Sequence, residues 1–259
     1  MEARLTEFSY GYCVTEELAN QGGPGFKAAP YFPSLYSEGK EGGGFDVQIG
    51  NALFLQFKLS DELTRRSAKE TQLGLLEPTF FRFWLHRRDR SEQHKMLIEL
   101  EGKGNQVFYI APEFADISSL DQAYNGSGVV TQSAMFSPSE IGPLPDDKYH
   151  SVAFKAGVTS GWFLSEPKPL KVQRSRDVVS RALEAHVAGV SPPENATRLF
   201  DWLNELAADM REIIKLNRVG ERAHRTERGP LEEVAYLART HFGCELFLFA
   251  RPQSMLTTS

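Results

Sequence analysis

An α/β protein with a mainly helical C-terminal region is the fold class this sequence predicts, and three observations predict it. The chain has 18 Phe against 5 Met, and aromatic side chains suit pleated, half-buried surfaces. Short apolar runs with period-two alternation are interleaved with segments of helical period over the first two thirds. After about Pro169 the pattern turns helical, and residues 197–217 carry Leu199, Leu203, Leu206, Met210, Ile213 and Ile214 as one stripe. Residues 1–170 are therefore read as the α/β core and residues 171–259 as the helical region. The closing strand of that region either packs on the core sheet or leaves the region independent.

Taken in order, Thr15–Gln21 reads as helix. Residues 22–44, with Gly22-Gly23-Pro24-Gly25, Pro30, Pro33 and Gly42-Gly43-Gly44, read as a long irregular connection. Two short alternating runs follow, Phe45–Ile49 and Leu53–Leu59, then a polar stretch over 61–77 expected to be helix plus loop. Phe80–His86 is a third strand. Ser91 is placed to cap a helix whose apolar face is Met96, Leu97 and Leu100, ended by Gly102 and Gly104. Val107–Ala111 is continuously apolar, as expected of a strand covered on both faces. Strands are predicted over 129–136, 149–155 and 161–165, and helices over 176–188, 197–217 and 231–242. The last helix has Pro230 at the favoured first position, and Cys244–Ala250 is a final apolar strand.

Composition narrows the function. The 29 Lys and Arg against 34 Asp and Glu leave a net charge of −5, which argues against a nucleic-acid coat or a polybasic membrane binder. Two cysteines, Cys13 and Cys244, are too few for a disulfide framework and lack zinc spacing. No apolar run approaches the ~20 residues of a membrane span, and the first residues lack a signal peptide's apolar segment. The expectation is a soluble, cytoplasmic protein without membrane association. The glycines at 22–25 lack the Lys-Ser/Thr of a phosphate-binding loop, and no GxSxG or HExxH pattern occurs.

The informative stretch is Phe45 to Lys58. Phe45, Val47 and Ile49 share one face, as do Leu53, Leu55 and Phe57. Matching these faces as a hairpin sets Ile49 across from Leu53, with Gly50-Asn51-Ala52 as a three-residue loop. That register puts Asp46 opposite Gln56, with Lys58 two residues along. A carboxylate and an amide oxygen are hard ligands suited to Mg²⁺. A neighbouring Lys can position the attacking water or offset charge developing on a phosphate. A single carboxylate binds Mg²⁺ weakly. The candidates for a second are Glu17, favoured over Glu16, and Glu38 or Glu41 in the glycine-rich segment.

Asp46, nine residues, then Gln56-Phe57-Lys58, followed by a helix from Ser91 and the strand Val107–Ala111, resembles the PD-(D/E)XK nuclease superfamily. The Gln-X-Lys form looks like the Mrr-type endonucleases. The resemblance covers roughly residues 10–112. It implies a restriction-endonuclease-like mixed sheet flanked by helices, and Mg²⁺- or Mn²⁺-dependent cleavage of DNA. The site residues would be Asp46, Gln56 and Lys58 with Glu17, and the metal would be held by Asp46, Gln56 and Glu17. Gln93 resembles the glutamine found in this helix in nucleases of the RecB type. The sequence departs from the pattern in lacking a Pro before Asp46, in the extra run Phe80–His86, and in Leu97 where a tyrosine would stand.

Beside the motif, Arg82, Arg87, Arg88 and Arg90 form the strongest positive cluster, suited to phosphate contacts and equally to a solvated turn offset by Asp89 and Glu92. The leading expectation is thus a Mg²⁺-dependent DNA endonuclease acting as a homodimer or with a partner subunit, through its C-terminal helices. Host defence against foreign DNA would suit it by fold-level analogy. The alternatives are a non-catalytic nuclease-fold scaffold within a larger complex, and a sensor that binds without cutting.

Overall fold

The computed structural model describes residues 2–21, 47–174, 177–178, 196–217 and 228–252. Helix α1 (Glu7–Gln21) comes first. Thr6 caps it: its Oγ1 accepts from the Ser9 amide at 3.0 Å, satisfying a first-turn N–H that has no partner within the helix. Strand β1 (Val47–Phe57), β2 (Asp61–Leu63), the one-turn helix α2 (Lys69–Gln72), β3 (Phe80–Leu85), α3 (Gln93–Gly102) and β4 (Gln106–Pro112) follow. Then come α4 (Ile117–Asn125), β5 (Ser133–Phe136), α5 (Pro138–Ile141), β6 (His150–Phe154), β7 (Ser160–Phe163), β8 (Lys168–Lys171) and β9 (Gln173–Arg174). Helix α6 (Ala196–Leu216), α7 (Pro230–Leu237) with a π-helical turn over Ala238–Phe242, and β10 (Glu245–Pro252) close the described chain.

The described residues form a mixed α/β fold, with two five-stranded sheets and a helical C-terminal region. One sheet has the order β10-β1-β4-β5-β9 and the other β2-β3-β6-β7-β8. The chain divides into two units, residues 1–18, 56–95 and 108–179 in one and residues 19–55, 96–107 and 180–259 in the other. Among the described residues no helix is long and apolar enough to cross a membrane.

In the first unit the core is aromatic. Phe83 stands 6.0 Å from Tyr109, 5.5 Å from Phe136 and 6.4 Å from Phe154, ring centroid to centroid. Phe136 and Phe154 meet at 5.3 Å. Gly161 lets Phe136 lie this close, since a Cβ there would sit 2.9 Å from the ring and 3.0 Å from the Ala153 carbonyl. In the second unit, α6 buries Leu203, Leu206, Met210, Ile213 and Ile214 and packs on α7. Lys103 reaches Asp209 at 3.0 Å and Glu212 at 2.9 Å.

The hairpin expected over residues 45–58 is not formed. Residues 47–57 are one strand, paired antiparallel with β10 from Val47↔Pro252 to Leu55↔Glu245. Ile49 faces Ala250 and Ala52 faces Leu248, so two residues of β1 stand against one of β10. Gly50-Asn51 is the site of a bulge rather than a turn, which adds one residue to β1. Residues 47 and 56 consequently lie about 30 Å apart along the strand, and the register that set Asp46 opposite Gln56 is absent. Asp46 itself lies outside the described residues. The long partner available in Leu246, Phe247 and Leu248 explains the outcome, because Leu53, Phe54 and Leu55 are all buried.

Smaller differences have local causes. The strand expected over 129–136 begins only at Ser133, because the Val130 amide is taken by Glu17 and the Val129 carbonyl by Ser133 Oγ. Helix α4 was not expected. Asp116 caps it through Ser119 N at 2.9 Å, and its buried stripe is only Leu120 and Ala123, too short to register as a period. The helix expected over 176–188 lies outside the described residues apart from 177–178.

Phe83 has no exposure, so Phe83→Ala should cost about 3–5 kcal/mol. The shift in the urea or guanidinium unfolding midpoint measures it, and a cost under about 1 kcal/mol would contradict the packing described.

Candidate active site

At the end of β1, period-two geometry sends Gln56 and Lys58 to one side and Phe57 to the other. Phe57 meets α1: its ring lies 5.8 Å from that of Tyr10, edge on. A Cβ at Gly11 would stand 3.1 Å from the Phe57 ring, so glycine is what admits the helix. Burial pushes the Tyr10 phenol well above its ordinary pKa, and it donates to Ser133 Oγ at 2.7 Å. The Lys58 amide donates to the Ile110 carbonyl at 2.9 Å, tying the end of β1 to β4.

On the opposite side Gln56 and Lys58 are each only 4% exposed. Gln56 Nε2 donates to Gln93 Oε1 at 3.0 Å, which fixes the amide so that its carbonyl oxygen points elsewhere. That Oε1 is buried and has no hydrogen-bond partner. A buried acceptor without a donor carries a desolvation cost of about 1–3 kcal/mol, and a hard cation is one species that would relieve it. Lys58 Nζ stands 5.7 Å from the centroid of the Tyr109 ring.

Tyr109 belongs to a second chain of contacts. His94 Nε2 lies 2.8 Å from the Gly142 carbonyl and Nδ1 2.8 Å from the Tyr109 hydroxyl. A carbonyl only accepts, so Nε2 carries the proton, and neutral Nδ1 accepts from Tyr109. Burial, opposed by the Gly142 bond and helped by the charge of Lys58, holds His94 below its ordinary pKa. The imidazole stacks on the Tyr109 ring at 5.8 Å. Neither Tyr109 nor this role of His94 was expected. A lone phenol inside the apolar run Val107–Ala111 was the available signal, since a buried hydroxyl requires a partner.

Glu17 is buried on α1, and its Oε2 accepts from the Val130 amide at 3.0 Å. The residues that seat α1 on β1, Tyr10 and Gly11, do so from the Phe57 side. Glu38, Glu41 and Asp46 lie outside the described residues. Among the described residues no group of three or more His, Cys, Asp or Glu side chains is arranged to hold a metal. Gln56 Oε1 fits an Mg²⁺ or Mn²⁺ ion on its own chemistry; Ser60 Oγ, Glu70 Oε2 and Asn217 Oδ1 are likewise buried oxygens without a hydrogen-bond partner among the described residues.

The basic strip is neutralised piece by piece. Arg82 bonds Glu70 at 3.1 Å, and Glu70 is fully buried; Asp61 lies 4.0 Å away. Arg87 is paired with Asp89 at 2.6 Å and Arg88 with Asp147 at 2.8 Å. Arg90 is exposed at the end of the same turn. Exposed pairs of this kind are worth about 0–1 kcal/mol, so Arg87 and Arg88 can exchange an acid for a phosphate cheaply. Arg82 cannot, because releasing it leaves the Glu70 carboxylate buried without its partner.

The comparisons add no relative: no family model, curated protein or solved structure matches the chain. The site therefore rests on its own geometry. Its strongest elements are the Gln56–Gln93 pair, the Lys58 ammonium and the Tyr109–His94–Gly142 chain.

A neutral His94 makes stability depend on pH with a definite sign. Its folded pKa lies below the unfolded value of about 6.5, so the stabilisation is whole above that value. It falls as pH drops from there toward the folded pKa, where only the unfolded state takes up the proton. The wild-type unfolding midpoint should therefore fall between pH 7.5 and 5, and His94→Gln should flatten that dependence. An unchanged slope in the variant would contradict the neutral, buried imidazole.

Proposed function

We propose that this protein is a metal-dependent nuclease that hydrolyses DNA phosphodiester bonds, built on a restriction-endonuclease-like core. The observation that carries the reading is the buried, unpartnered Gln56 Oε1 two residues from a buried lysine on one side of one strand. The bond from Gln56 to Gln93 at the start of α3 supports it, and α1, β1, α3 and β4 follow in the expected order with β2, α2 and β3 inserted between β1 and α3. It departs from the expected pattern in that β10, not a hairpin arm, is the antiparallel neighbour of β1.

In this reading Gln56 supplies an amide oxygen to an Mg²⁺ or Mn²⁺ ion. The carboxylate that joins it is not Asp46, whose neighbour Val47 stands about 30 Å from residue 56 along β1, nor Glu17, which accepts from the Val130 amide. The nominated acids are Glu38 and Glu41, outside the described residues. When bound, such an ion acts as a Lewis acid on the scissile phosphate and its attacking water. Gln93 holds the Gln56 amide in one orientation, so that its oxygen and not its nitrogen is presented. Lys58 brings a fixed positive charge into a dry setting, where charge developing on phosphate oxygens is offset more strongly than in water. Arg87, Arg88 and Arg90 guide the DNA backbone. The exposed Phe200 and Leu216 of α6 are where the same reading seats a second copy or a partner subunit.

The second reading is a scaffold of the same fold without catalysis. The ion pairing of Arg82, Arg87 and Arg88 and the lack of a carboxylate cluster among the described residues favour it.

Nicking of supercoiled plasmid with Mg²⁺ or Mn²⁺ separates the two. The nuclease reading expects cutting by wild type and a loss of about 100-fold or more in Lys58→Ala and Gln56→Ala, with thermal melts showing each variant folded. Equal nicking by all three proteins, or none by wild type with either metal, overturns it.

A further inference from the structure

We propose that Ser165 is a second reactive centre, a nucleophile activated by His150 and Asp146 for acyl transfer from small carboxylic esters. The sheet itself builds the arrangement. β6 and β7 pair antiparallel with Val152 opposite Phe163, and continuing that register by two residues brings Ser165 opposite His150. The turn between β7 and β8 closes at Phe163↔Lys168, and the Leu164 amide is fixed on the Ser151 carbonyl at 3.1 Å. Ser165 sits in this turn and is exposed, whereas His150 beneath it is 1% exposed, its ring tilted against Phe163 at 5.9 Å.

Hydrogen-bond chemistry then fixes the protons. His150 Nε2 lies 2.9 Å from the Asp146 main-chain carbonyl and 3.3 Å from Asp146 Oδ1. Both are acceptors, so Nε2 carries the proton and Nδ1 presents a lone pair. Ser165 Oγ stands 2.6 Å from Nδ1, and its hydroxyl donates there. Asp146 is held in place by the Lys148 amide, which donates to Oδ1 at 2.8 Å and keeps the carboxyl below its ordinary pKa. It therefore stays ionised beside an imidazole that must become positive in the reaction. Nucleophile and base are thus hydrogen-bonded, and the base's other nitrogen is held by the Asp146 carbonyl with the Asp146 carboxylate 3.3 Å away, which is the geometric requirement for an activated hydroxyl. The His94–Tyr109 pair has the same tautomer, but its phenol is buried and cannot meet a substrate.

The chemistry closes without another reagent. Oγ bonds to the ester carbonyl carbon while its proton passes to His150 Nδ1. The bond to the alcohol then breaks, and the Nδ1 proton leaves on the alkoxide, giving acyl-Ser165 and free alcohol. A water adds to the acyl carbon, giving a proton to Nδ1. That proton returns to Oγ as the carboxylic acid departs. No metal enters these steps, so the proposal is independent of the nuclease reading.

The full chain is incubated with a fluorophosphonate probe, whose P–F bond breaks as the Ser165 Oγ–P bond forms and fluoride leaves with the proton. Peptide mass spectrometry is expected to find the adduct on Ser165. Ser165→Ala should abolish it, and His150→Gln should slow labelling about 100-fold or more. Because His150 is buried and its variant can unfold, Asp146→Ala at a half-exposed position serves as the second variant and should also slow labelling. Hydrolysis of p-nitrophenyl acetate should follow the same order. No adduct on Ser165, or labelling at wild-type rate in both the folded His150 and the Asp146 variants, would overturn the proposal.

Discussion

Alternation along an extended strand is the constraint on which the arrangement around Gln56, Phe57 and Lys58 depends. Three consecutive residues cannot share a side, so an aromatic anchor for α1 obliges its two polar neighbours to point the other way. Phe57 takes up Tyr10 against a glycine at position 11. Gln56 and Lys58 are then buried whether or not they are easily satisfied. An amide and an ammonium in such a place cost free energy unless partners are supplied. The residues around them are explained by that demand.

Two devices meet it. Gln93, at the first position of α3, accepts from the Gln56 amide. Tyr109 offers its ring to Lys58, while its hydroxyl is held by His94, itself held by Gly142. Each member of that chain has a single sensible protonation, which makes it rigid and specific. The remaining demand is Gln56 Oε1, which stays unmet by protein. Native interiors rarely leave such an atom without reason. Arg82 Nε and Glu70 Oε2 are also buried without a partner, but their side chains are ion-paired with each other. Gln56 Oε1 instead stands two residues from a buried lysine on the same side of the strand, and this is why the site, rather than the basic strip, carries the functional reading.

Much of this was legible in the sequence where the signal is local. The continuous apolar run of β4 and the long stripe of α6 fold as their patterns require, and Phe80–Leu85 is the strand read there. The site was half legible: Gln56 and Lys58 share a side by spacing alone, and Gln93 was noted for its position. What was not legible depends on distant partners. Gly50-Asn51-Ala52 suits a tight turn and a bulge equally, and only the apolar partner strand β10, far along the chain, decides for the bulge. The neutralisation of Arg82 likewise depends on Glu70, buried in a helix of one turn. Charge counted along the sequence could not reveal an acid folded against it.

The most direct test of the account is a crystal structure grown with Mn²⁺ and read by its anomalous signal. A peak is expected about 2.1 Å from Gln56 Oε1, with the Gln56 Nε2 bond to Gln93 retained. Mn²⁺ bound only elsewhere, with Gln56 Oε1 accepting from a protein donor, would contradict it.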